Sequence, residues 1–296
     1  MELRHLRYFV AVAEALSFTR AAQTLRTAQP SLSQQIRDLE YEIGTPLLYR
    51  DKRNVALTPA GKVFLDEAKL VLAQAERAKL LARRAGEDMG NTLTIGFVPA
   101  AEVKIFPQTL TMLRAEFPAT RIVMQSLTTF EQHEALSSGA IDFGFLRPPV
   151  DDPSIDSMVI LRESLVLLMP ADHPSCWSSE VSLSAMADTP FLRIASRHAG
   201  NLGQVIDDLA RREGVTLNAV QEVENVLTLL TLVSLGVGFS IMPDYVAQLS
   251  FRNIVTRPLA GPTVRAELMA AWRRDNAKPE VKALVRRLQE MQDHEL

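Results

Sequence analysis

The chain of 296 residues has room for two or three domains of ordinary size, and its 47% hydrophobic and 23% charged content excludes a disordered polymer. A single cysteine, Cys176, excludes an intrachain disulfide and a cysteine-built metal cluster. Net charge is −3, but residues 1–58 hold 8 Lys and Arg against 6 Asp and Glu, so a polyanion-binding surface belongs at the N-terminal end if anywhere.

The opening segment, MELRHLRYFVAVAEALSF, carries charges inside its apolar pattern, unlike a signal peptide, and no apolar run reaches the ~20 residues that span a bilayer. A cytoplasmic protein without membrane contact is expected. Leu3, Leu6, Phe9, Val10 and Ala13 mark one face of a first helix. Ser17 is placed to cap a second, FTRAAQTL. Pro30 fits the first turn of a third, where a missing N–H costs nothing, and Gly44 can end it at positive φ. The segment PLLYRDKRNVALTPAG alternates around a basic tip and predicts a hairpin, so residues 1–58 read as a winged helix-turn-helix with its motif near 18–37.

A long helix follows from about Pro59 to Ala85. Phe64, Ala68, Val71, Ala75, Ala78, Ala82 and Ala85 recur at heptad spacing, which predicts a seam between two helices; the alternative is a helix packed on its own domain. GEDMGN, closing the linker segment 59–90, has the composition of a hinge. Beyond it strands and helices alternate through LTIGFV, RIVMQSL, IDFGFL, ESLVLLMP, PFLRI, AVQEV and VGFSIMP, predicting parallel sheets with helices on both faces. AELMAAW and a final helix return to the first unit. The result is two lobes, 91–161 with 266–296 and 162–265, around a cleft suited to a small ligand.

The stretch from LRYFVAVAE through AQPSLSQQIRDLE to RDKRNVALTPAG resembles the DNA-binding segment of LysR-type transcriptional regulators, from Met1 to Gly61, and the order of later parts fits that family. MELRHLRYFVAVAE, RDKRNVALT and IGFVPAAEV are similar to the subgroup governing aromatic-acid catabolism, particularly 3-phenylpropionate and cinnamate degradation. The resemblance implies an α+β multidomain chain: winged helix-turn-helix, linker helix, and a C-terminal α/β two-lobed effector domain of periplasmic-binding-protein type 2 over 91–296. It implies double-stranded DNA with an AT-rich interrupted dyad as partner, a homodimer through the linker helix, a homotetramer, and RNA polymerase as partner if the protein activates.

On the third helix, Gln29, Pro30, Ser31, Ser33, Gln34 and Arg37 form a small polar front, while Leu32, Ile36 and Leu39 hold an apolar back. Such a front suits the major groove, where Gln can pair with adenine and Arg with guanine or phosphate. Position 34 is often arginine in the family; here it is Gln34. Arg50, Lys52 and Arg53 fall on the wing, where the family makes backbone or minor-groove contacts. In the cleft the resemblance points to Pro99, Ala100, Ala101, Thr129, Arg147 and Asn201 around an aromatic carboxylate, with Phe97 and Phe145 lining the rest. Relatives often carry serine where this chain has Ala100; backbone N–H groups at Ala101 and Glu102 are the substitute. Arg147 has a second reading as a structural ion pair, with Asp142 for example, and Thr129 as a helix N-cap. His133 and His198 read as surface residues, and His173 as part of a loop.

No G-x-S-x-G, H-E-x-x-H or P-loop pattern occurs, and GVGFS lacks the third glycine of a dinucleotide turn. Neither a catalytic residue, a cofactor nor a metal is expected. A regulator, rather than an enzyme or an exported acid-binding protein with a helical appendage, accounts for the N-terminal reader.

Overall fold

The structure is a computed structural model and describes residues 1–50, 55–86 and 92–293. The chain divides into two compact units, Met1–Asp88 and Met89–Leu296.

In the first unit, helices α1 (Leu3–Ala15), α2 (Phe18–Thr24) and α3 (Gln29–Ile43) are followed by the antiparallel hairpin β1 (Leu48–Arg50) and β2 (Val55–Leu57), then α4 (Pro59–Gly86). Leu6, Phe9 and Val12, Ala21 and Ala22, and Leu32, Ile36 and Leu39 meet in one core. The buried face of α1 is rotated from the expected one: Val12 is inside, Val10 only partly, and Leu3 exposed. Local chemistry fixes the turns. The Ser17 hydroxyl accepts the Arg20 N–H at 3.3 Å, Pro30 stands in the first turn of α3, and Gly44 closes it at φ 80°. Glu40 then ties α3 to the hairpin, its Oε1 accepting the N–H groups of Leu47 at 2.9 Å and Leu48 at 3.1 Å.

The stripe along α4 divides in two. Phe64 packs edge-on against Phe9 with ring centroids 5.2 Å apart, and Ala68 is buried, so the first turns are spent on the chain's own core. Lys69–Glu14 and Arg7–Glu76 pairs, at 2.8 and 2.9 Å, fasten the same stretch to α1. Farther along, Val71, Ala78 and Ala82 are exposed, which leaves only the later part of the stripe for a partner. The side chain of Ala85 and the hinge residues 87–91 lie outside the described residues.

The second unit begins with β3 (Thr92–Phe97), α5 (Pro99–Lys104), α6 (Phe106–Glu116), β4 (Arg121–Ser126), α7 (Thr129–Ser137) and β5 (Phe143–Leu146). A 16-residue strand, β6 (Ile155–Pro170), leads to β7 (Phe191–Ile194), α8 (Ser196–Ala199), α9 (Leu202–Arg212), β8 (Ala219–Val223), α10 (Val226–Ser234) and β9 (Ser240–Pro243). The chain closes with β10 (Ile254–Pro258), β11 (Arg265–Arg273) and α11 (Pro279–Asp293). β3 is parallel to β4 and β5, and β7 to β8, as the alternation predicted. The sheet as a whole is mixed, however. β11 runs antiparallel to β5 and β6, and β6 runs antiparallel to β9 and β10. The departure has one cause: β6 is a single strand whose first half pairs with β11 in one lobe and whose second half pairs with β9 and β10 in the other. Only that second half, ESLVLLMP, is visible as an apolar run. Central strands β3 and β5 are buried throughout, which is why they read as continuous apolar segments.

Candidate functional site

Two surfaces carry the predicted site residues, one in each unit. On α3, Gln29, Pro30, Ser31, Gln34 and Arg37 are exposed and Ser33 is partly so, while Leu32, Ile36 and Leu39 are fully buried behind them. The front is organised. Gln34 Oε1 accepts from Arg37 Nη2 at 2.7 Å and Nε at 3.3 Å, Arg37 Nη1 donates to Ser33 Oγ at 3.2 Å, and Gln34 Nε2 donates to Asp38 Oδ1 at 2.7 Å. Lys52, Arg53 and the side chain of Arg50 lie outside the described residues; the Arg50 backbone pairs with Val55 in the hairpin.

In the second unit, a cavity of about 160 Å³ opens between the lobes. Its walls follow the carboxyl ends of the strands, the usual place for a ligand in an α/β sheet. Val98, Pro99 and Ala100 follow β3, Ser126 ends β4 with Leu127 and Thr128 after it, and Arg147 follows β5. From the facing lobe come Ile194, His198, Ala199 and Leu202, then Glu224, Asn225 and Val226 at the start of α10, and Met242 and Tyr245 beyond. Helices α7 and α10 thus start at this wall, and their starts are capped by the chain itself. The Thr128 N–H and hydroxyl both donate to Glu131 Oε2 at 2.8 Å, while the Thr128 oxygen accepts the Glu131 N–H. These bonds hold the Glu131 carboxyl below its ordinary range. Asn225 Oδ1 accepts the Thr228 N–H at 2.9 Å.

Arg147 faces the cavity but is only 4% exposed. Its Nη2 donates to Glu163 Oε2 at 2.6 Å and its Nη1 to the Glu267 carbonyl at 2.9 Å. It is therefore engaged in a structural ion pair, though not with Asp142, which pairs with Lys278 at 2.8 Å. Burial pushes the Glu163 carboxyl up, with Arg147 pulling it the other way.

Five expected lining positions stand elsewhere. Thr129 is not the cap of α7; that is Thr128. Thr129 is buried in the first turn, its hydroxyl accepting the Arg147 N–H at 3.1 Å. Ala101 is fully buried, and its N–H donates to the Val98 carbonyl at 2.9 Å, so it is not free for an anion. Phe97 and Phe145 belong to the core, each edge-on to Phe106. Asn201 is off the wall; its N–H donates to the Pro148 carbonyl at 3.2 Å. Conversely, His198 is a wall residue, with Nε2 accepting from Arg197 Nε at 2.8 Å. Glu131, Glu224 and Asn225 were not foreseen either. The cue available for Asn225 was a capping residue before the apolar run VLTLLTLV, at the close of a strand.

The model of the LysR substrate binding domain matches residues 86–293, and that of the bacterial regulatory helix-turn-helix protein, lysR family, matches residues 3–62. The chain belongs to the LysR family. It is accordingly a DNA-binding transcriptional regulator and not an enzyme. Among LysR relatives, the Hca operon transcriptional activator HcaR of Escherichia coli (strain K12) is 43% identical over 290 residues, covering 98% of each chain. The crystal structure of full-length BenM superposes with a TM-score of 0.61 at 32% identity, over 100% of this chain and 98% of that one. Full-length CbnR, solved in complex with its target DNA, gives 0.59 at 26% identity over 98% and 99%. Among the described residues of this LysR protein, no helix is long and apolar enough to cross a membrane, and no group of three or more His, Cys, Asp or Glu is arranged to hold a metal ion.

Proposed function

We propose that this regulator reads DNA with the exposed front of α3 and responds to a small, single-ring aromatic or unsaturated carboxylate held between the lobes of its second unit, in control of an aromatic-acid degradation operon. The observation that carries the ligand assignment is the cavity itself, about 160 Å³ at the carboxyl ends of the strands, with Val98, Leu127, Ile194, Leu202 and Val226 on its walls. A cavity of about 150 Å³ holds one benzene ring, so a space of this size suits a single-ring ligand. Similarity to HcaR, named for the operon it activates, supports the placement among catabolic regulators.

DNA is the partner. One reader per chain makes few phosphate contacts, and two readers separated by about one helical turn, or a multiple of it, suit a dyad. Pairing through the exposed later part of α4 supplies the second reader, with an AT-rich interrupted dyad as target. A tetramer built on such dimers, contact with RNA polymerase when activating, and a cytoplasmic location belong to the same proposal.

A second reading rests on Glu131 and Glu224 at the wall. Glu131 is bonded to Thr128 and Glu224 is paired with Arg197, but each carboxylate has acceptor capacity to spare. With Arg147 committed to Glu163, the wall suits a ligand carrying hydroxyl donors over a bare acid, and hence an unrelated metabolite. Calorimetric titration of the full-length protein with benzoate, cinnamate, 3-phenylpropionate and muconate, beside hydroxylated neutral compounds and aliphatic acids, separates the two. Heat and saturation with one aromatic or unsaturated acid support the first reading. Binding confined to neutral polyols supports the second and ends the carboxylate assignment.

A further inference from the structure

The DNA-facing front of α3 contains an acidic residue, Asp38, where a polyanion is expected to approach. Its place is not explained by fold stability. Asp38 is exposed, and its hydrogen bond among the described residues is the one to Gln34 Nε2 at 2.7 Å. A Gln–Asp pair four residues apart on a helix in water contributes only weakly to that helix. A carboxylate there also opposes phosphate, which lowers affinity for DNA of every sequence.

Its geometry toward Gln34 is more telling. The two faces of the Gln34 amide meet opposite charges: the Arg37 guanidinium donates twice to Oε1, and the Asp38 carboxylate accepts from Nε2. A flipped amide would set its NH₂ against the guanidinium and its oxygen against the carboxylate, so the two partners fix one orientation. The two Arg37 donors occupy the amide oxygen, and one N–H of Nε2 remains uncommitted. That free donor can read an acceptor on a base edge, such as a purine N7, guanine O6 or thymine O4. Ser33, through Arg37 Nη1 at 3.2 Å, completes the brace from the other side.

We propose that Asp38 is a specificity-positioning residue: it holds the Gln34 amide in the one orientation that presents its free N–H to an acceptor on a base edge, at the expense of overall affinity for DNA. The inference rests on α3 being the reading helix. A glutamine held in place before contact loses less side-chain freedom on binding than a free one, and discriminates better between base pairs for that reason.

In vitro selection from a randomised duplex library, with the full-length protein, tests this directly. Gln34→Ala identifies the base pair that Gln34 reads. Asp38→Ala is expected to lose roughly fivefold of the preference at that same base pair, the scale of one hydrogen bond. Asp38→Asn keeps an acceptor for Gln34 Nε2 but no charge, and is expected to retain the preference. Both Asp38 variants should bind random DNA more tightly. Wild-type preference in Asp38→Ala overturns the proposal, and so does equal loss in Asp38→Ala and Asp38→Asn, which would make charge alone responsible. If Gln34→Ala leaves the selected motif unchanged while Gln29→Ala alters it, Asp38 has no such role but α3 still reads DNA. If neither glutamine variant alters the motif, the reading-helix assignment falls with the proposal.

Discussion

Arg147 Nη2 and Glu163 Oε2 stand 2.6 Å apart with their side chains 5% and 1% exposed, so the arginine on the cavity wall is already paired within the protein. A further bond from Arg147 to the Glu267 carbonyl fixes the guanidinium to the returning strand β11. The pair acts as a brace at the cleft floor.

Arg147→Ala is therefore expected to lower stability, not merely to abolish a response. Removing one partner of a buried pair leaves the other charge uncompensated, at a cost of about 3–5 kcal/mol. Arg147→Met combined with Glu163→Leu removes both charges and should recover most of that loss. Urea unfolding of the full-length variants checks the prediction; equal stability of Arg147→Ala and wild type contradicts it.

The start of α7 should report on acid pH. Glu131 is held below its ordinary range by the Thr128 N–H and hydroxyl. A depressed carboxyl contributes stability above its unfolded pKa, and that contribution is lost as pH falls through the folded value. Glu131→Gln should flatten the acid limb of the stability profile below the ordinary glutamate range. Thr128→Ala should cost about 1 kcal/mol at neutral pH, as loss of an N-cap does. Melting temperature against pH for the three proteins gives both results.

Different parts of α4 should fail differently. Phe64→Ala removes the ring packed on Phe9 and is expected to destabilise the first unit by about 3 kcal/mol. Ala78→Glu changes an exposed position on the later stripe and should leave that unit intact while weakening self-association. Sedimentation together with thermal melting distinguishes them. A dimer undisturbed by Ala78→Glu would remove the seam from this face.

Local chemistry made much of the first unit legible. Ser17, Pro30 and Gly44 each act on the backbone beside them, and all three stand where the sequence placed them. What depends on distant packing was less visible. Phe64 and Ala68 satisfy a heptad pattern and an intrachain core equally well, and only the position of Phe9 decides between them. In the cleft, the resemblance to the family pointed to Pro99, Ala100 and Arg147, which do line it. Thr128 and Thr129 are adjacent and chemically alike, so the assignment between cap and buried neighbour slipped by one. The partner of Arg147 was sought in Asp142, five residues away, whereas β6 folds Glu163 beside it. His198, Glu224 and Asn225 reach the wall from the second lobe, and that juxtaposition is a property of the fold, not of any local run.

The central claim, that a small acid in the cleft alters DNA binding, is tested most directly by fluorescence anisotropy of a duplex carrying the selected dyad. It is measured with and without the acid found by calorimetry, for wild type and for Ser126→Trp. Ser126 is an exposed wall residue, so a bulky side chain there fills the cavity without overpacking a core. The account predicts that the acid changes the apparent DNA affinity of wild type by about fivefold or more, the lower bound of typical coupling, and leaves Ser126→Trp unchanged. An equal change in both proteins, or none in wild type at saturating acid, would contradict it.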